Sequence, residues 1–82
     1  MSPTRYISLP HLRVGQSGTV KEITGGSGVV KKLTALGLRP GQIVTKRDSV
    51  FTRGPVVLKV NNTQMAIGYG MAQKVLVEVE EE

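Results

Sequence analysis

Few residues in this chain could do acid–base or covalent chemistry, and they do not converge. His11 is the only histidine, cysteine is absent, and before residue 78 the only carboxylates are Glu22 and Asp48. A catalytic triad or a carboxylate pair needs more than this, so no catalytic residues are assigned and the sequence argues against an enzyme. A transition-metal site gathers three or four nitrogen, sulfur or carboxylate ligands. His11, next to Pro10, has no such company and reads as a surface histidine. Glu78, Glu80, Glu81 and Glu82 read as solubilising charge, so no metal ligands are assigned and no tightly bound cofactor is expected. Weak or inter-chain binding of Fe(II) or another divalent metal stays open.

What remains is binding. Gly25-Gly26-Ser27-Gly28 ahead of a helix could offer N–H groups to an anion. It lacks the lysine-Ser/Thr ending of a phosphate-binding P-loop and reads as a plain loop. Lys31 falls on the outer face of that helix and Lys32 at its edge, near Arg39, which makes a basic ridge beside Leu38 and Pro40. Arg47 and Arg53 flank Phe51, a second candidate contact, because arginine and aromatic residues are enriched where proteins meet. The partner-binding residues read from the sequence are therefore Lys31, Lys32, Leu38, Arg39, Pro40, Arg47, Phe51 and Arg53.

The charge balance points the same way. The net charge is +5, but residues 1–77 hold all 11 basic groups against Glu22 and Asp48, a net +9. Such a body suits an acidic protein surface, an anionic membrane face or nucleic acid. Aromatic residues are only Tyr6, Phe51 and Tyr69, too few for the stacking platforms of single-strand binders, so nucleic acid is a disfavoured partner. No apolar run reaches the roughly 20 residues of a membrane span, and Met1 to Leu12 does not resemble a signal peptide. Without cysteine the chain suits a reducing compartment, and a cytoplasmic protein is expected.

The elements that must position these residues are short. Length allows one domain over 1–82, with 1–6 and 80–82 expected as loose ends. Ser8 to Leu12 predicts a helical turn with Leu9 and Leu12 on one face, and Thr19 to Thr24 a first strand. Gly28 to Leu36 predicts a helix capped by Ser27, with Val29, Leu33 and Leu36 as its packing stripe. Gly37 suits a left-handed helix stop that folds Leu38 back onto Leu33, and Pro40-Gly41 a type II turn. Strands are expected at Ile43–Ser49, Pro55–Val60, Thr63–Gly68 and Lys74–Val79. An Asn61-Asn62 turn would set Val60 against Thr63, Leu58 against Met65 and Val56 against Ile67. Leu12-Arg13-Val14-Gly15-Gln16 and Leu38-Arg39-Pro40-Gly41-Gln42 also echo each other, as reuse of one turn chemistry. About five strands, one short helix after the first and an N-terminal helical turn make a mainly β fold, a small SH3-like barrel, with an OB-fold as second choice.

These features in this order resemble the FeoA family. The resemblance rests on Leu9 and Leu12 followed by Gly15 and Gly18, on Lys32-Leu33 in a helix ending Leu36-Gly37-Leu38, and on Pro40-Gly41. Gly54-Pro55 ahead of a valine-rich hairpin and a closing valine-rich strand extend it to about Leu9–Val79. It implies a small cytosolic accessory or regulatory protein of bacterial ferrous-iron uptake that binds the cytosolic domain of a FeoB-type transporter. The alternatives are a stand-alone basic nucleic-acid module, or an iron sensor that dimerises through shared metal; a homodimer stays open. Similar domains end metal-dependent repressors of the DtxR type, but residues 1–8 carry no helix-turn-helix pattern, so the repressor role is not the expected one.

Overall fold

Short β-forming runs separated by glycine turns give one curled antiparallel sheet. The computed structural model describes residues 3–49 and 53–80. In chain order these form β1 (Thr4–Ser8), a 3₁₀ turn (Leu9–His11), β2 (Ser17–Ile23), α1 (Gly26–Ala35), β3 (Ile43–Ser49), β4 (Val56–Val60), β5 (Thr63–Ile67), α2 (Tyr69–Ala72) and β6 (Val75–Glu80). The strand order is β1-β6-β2-β3-β4-β5.

Two turns of the same chemistry start the central strands. Gln16 N–H donates to Arg13 O (2.9 Å), and Gln42 N–H to Arg39 O (3.1 Å). Gly15 and Gly41 hold φ at +89° and +94° at the third position of each turn, where a side chain is disfavoured. Each turn then clasps the opposite strand. Gly15 N–H donates to Lys46 O (2.7 Å) and Lys46 N–H to Gln16 O (3.1 Å); Gly41 N–H donates to Val20 O (2.8 Å) and Val20 N–H to Gln42 O (2.8 Å). The sequence echo is thus a local two-fold about the β2–β3 pair, where Gly18 faces Val44. Even the register shifts match, at Lys21 in β2 and Arg47 in β3.

The inward faces carry the core. Val20, Val44, Val56, Leu58, Val60, Ile67, Val75, Val77 and Val79 are buried from the sheet, and Leu9, Leu12, Leu33 and Leu38 close it from outside. The hairpin pairs Val60 with Thr63, Leu58 with Met65 and Val56 with Ile67, the expected register, and Asn61 takes the positive φ, +50°. Gly18 lies so close to β6 that a Cβ there would stand 3.0 Å from Val79 Cγ1 and 3.1 Å from Glu78 O.

Three expectations need correction. There are six strands, because Thr4–Ser8, read as mostly loose, pairs along β6 from Glu80 to Leu76. Five residues are too few for a period to show, but β6 offers a free edge that this segment satisfies. β6 also runs to Glu80, within the expected loose end. Finally, α1 starts at Gly26 with Gly25 as N-cap, not Ser27. Gly25 and Gly26 sit at φ +100° and +89°, so consecutive left-handed glycines make the entry to the helix and a serine cap is not used.

Lys46 breaks the polar-out, apolar-in rule. Under the local two-fold it occupies the place of Val20, and it is 8% exposed. Its Nζ donates to Pro10 O (2.9 Å) and Leu12 O (2.8 Å), serving carbonyls that the short 3₁₀ turn leaves over. Lys46→Met keeps the stem and removes the donor, so it should cost about 2–3 kcal/mol. The exposed Lys32→Met should cost no more than about 0.5 kcal/mol. Urea unfolding of the two variants reads the difference, and equal midpoints would refute this role for Lys46.

Candidate docking surface

The surface is built on α1 and on the way it stops. Leu33 is buried, Val29 and Val30 are half-buried, and Lys31, Lys32 and Ala35 are exposed. At the end Gly37 turns left-handed (φ +100°). Gly37 N–H then donates to Thr34 O (2.9 Å) and Leu38 N–H to Leu33 O (3.0 Å), the two bonds of a Schellman cap. This reversal drives Leu38 into the core, fully buried like Leu33, and leaves Leu36 46% exposed.

Leu38 is therefore not a contact residue, and Leu36, read as part of the packing stripe, is a surface leucine. Helical spacing put Leu36 inward, but the helix ends at Ala35 and the cap gives the last inward place to the residue after Gly37. The cap signal was in the sequence; its consequence for Leu36 was missed. Lys32 and Leu36 stand one turn apart on the same flank. Arg39 and Pro40 follow, both exposed, in the turn clasped to Val20. Lys31, Lys32, Leu36, Arg39 and Pro40 thus gather around one helix end.

The other expected residues lie elsewhere. Arg47 is exposed at the β3 register shift, roughly 13 Å along the strand from Ile43 at the usual rise. Arg53 is exposed ahead of β4, and Phe51 falls outside the described residues. The structure does not bring Arg47 and Arg53 to the α1 ridge. Sequence reading also passed over Tyr6, which is 50% exposed in β1 with Lys21 Nζ 6.0 Å from its ring centre. Tyr6 lay in the segment expected to be loose.

An open groove of about 900 Å³ includes none of the ridge residues and is lined in part by Arg5, His11, Arg13, Ile43, Glu78 and Glu80. His11 is exposed there. Among the described residues no group of three or more His, Cys, Asp or Glu side chains could hold a metal ion. No described helix is long and apolar enough to cross a membrane.

A small curled antiparallel sheet with one basic, leucine-bearing helix end on its surface is a domain of the SH3-like type. The FeoA domain model matches residues 7–79, and the chain belongs to that family, which connects it with ferrous-iron transport. A Methanocaldococcus jannaschii relative, named as a candidate Fe(2+) transport protein A, is 29% identical over 73 residues, 85% of this chain and 83% of the relative. A crystal structure of an iron uptake regulatory protein (FeoA) is 33% identical with a TM-score of 0.81, covering 89% of this chain and 95% of that one. A manganese-dependent transcriptional repressor shares the fold at 20% identity and a TM-score of 0.80, over 99% of this chain but 44% of its own.

The exchange of roles between the two leucines is testable by stability alone. Leu38→Ala should cost about 2–5 kcal/mol, as for a fully buried leucine. Leu36→Ala should cost about 1 kcal/mol or less. Equal losses in thermal or urea unfolding would contradict this assignment.

Proposed function

We propose that this chain is a cytosolic accessory or regulatory protein of ferrous-iron uptake that docks on the cytosolic part of a FeoB-type transporter and modulates its nucleotide-driven transport. The observation that carries the proposal is Leu36: a half-exposed leucine with Lys31, Lys32 and Arg39 around it and the stiff Pro40 beside it. An apolar anchor inside a charged rim is how transient interfaces are built. The rim selects an acidic face and speeds encounter with it, while the leucine resists dissociation. Family membership and the iron-transport name of the archaeal relative support the class of partner.

Two kinds of substitution separate anchor from rim. Charge reversal of Lys31, Lys32 and Arg39 to Glu should weaken capture of the transporter's cytosolic domain by about tenfold or more, equivalent to about 1.4 kcal/mol or more. It should also remove most of the salt dependence. Leu36→Ala should weaken capture and leave the salt dependence in place. Undiminished binding by the triple variant would defeat the surface assignment.

A further inference from the structure

We propose that this chain forms a homodimer by antiparallel pairing of β5 with β5 of a second copy, about a two-fold axis at Met65. The sheet ends at β1 on one side and β5 on the other. Open edges invite pairing, and proteins that must stay apart guard them with proline, charge or bulges. The β1 edge has such guards: Pro3 precedes the strand and Arg5 lies within it. The β5 edge has none. Thr63, Gln64 and Ala66 are exposed, and no register shift interrupts the β4–β5 pairing.

Hydrogen-bond parity fixes how a second copy would fit. Across a two-residue turn the flanking Val60 and Thr63 exchange both backbone bonds, and so do Leu58–Met65 and Val56–Ile67 in the same register. The N–H and C=O groups of Gln64 and Ala66 then point away from β4, off the open edge. Antiparallel pairing about Met65 sets Gln64 of each copy against Ala66 of the other. All four outward donors and acceptors on each strand are matched by the same four on its partner. Met65, half-buried against the core, meets its own copy across the axis as a closely spaced pair, and Thr63 lies against Ile67. The edge is self-complementary, as an isologous dimer requires.

Charge also selects this edge over that of β1. A chain of net charge +5 repels its copy, yet residues 60–73 carry no charged side chain, the longest such run in the sequence. The nearest cation on the strand beside β5 is Lys59, opposite Gln64. In the dimer the two Lys59 residues lie at least three strand spacings apart, about 14 Å, beyond the screening length of about 8 Å in physiological salt. The α1 ridge stays free, so each dimer presents it twice.

The test is sedimentation from micromolar to millimolar concentration with a chelator present, together with amide hydrogen exchange. The expected result is a concentration-dependent rise from one chain mass to two that needs no metal. The N–H groups of Gln64 and Ala66 should gain protection on concentrating, while Thr63, Met65 and Ile67 are protected throughout. Gln64→Pro removes one outward donor without touching the bonds to β4, and it should hold the protein at one chain mass. A single chain mass at every concentration overturns the proposal, as does a dimer in which Gln64 and Ala66 exchange as fast as in dilute solution.

Discussion

The fold depends on two glycine turns that clasp across one pair of strands. Without the positive φ at Gly15 and Gly41, neither turn could deliver the following glutamine back to the opposite strand. Four backbone bonds join the turns to Val20 and Lys46. At about 1 kcal/mol each, they are large beside the net stability of a small domain, about 5–15 kcal/mol. They also fix where the chain can go next. One turn delivers the 3₁₀ segment above it to the barrel end, and the other holds the end of α1.

What could be read from the sequence was local. The hairpin register follows from a two-residue turn and alternate valines, which agree, so it needed no knowledge of the rest of the chain. Gly37 and Pro40-Gly41 likewise follow from backbone angles alone. β1 could not be read this way: its reason to form is the free edge of β6, more than sixty residues away in the chain. Nor could the fate of Lys46. Its burial depends on the carbonyls of Pro10 and Leu12 arriving above it, and no pattern within β3 announces them.

The candidate site was legible in charge and misread in packing. Lys31, Lys32, Arg39 and Pro40 are exposed as their types suggest. The two leucines were harder, because helical spacing and the cap make rival claims on one inward position. Spacing favours Leu36, the cap favours Leu38, and the cap prevails because it is enforced by two backbone bonds. A spacing rule applied to the last turn of a helix should yield to a glycine stop one residue later.

The local two-fold shows why a helix end with an exposed leucine stands at only one end of the β2–β3 pair. It relates Arg39 to Arg13, Leu38 to Leu12, and the shifted residue Lys21 to Arg47, so both ends of the β2–β3 pair carry cations by the same geometry. They differ in what precedes each turn. Before Leu12 stands a single 3₁₀ turn, whose spare carbonyls call for the buried ammonium of Lys46. Before Leu38 stands a full helix that closes its own carbonyls through Gly37, and the equivalent core position can then be an ordinary Val20. That helix adds Lys31, Lys32 and the uncovered Leu36 to a cation-bearing turn. The exposed leucine is thus a by-product of self-sufficient capping: the helix that needs no lysine beneath it is the one free to point a leucine outward.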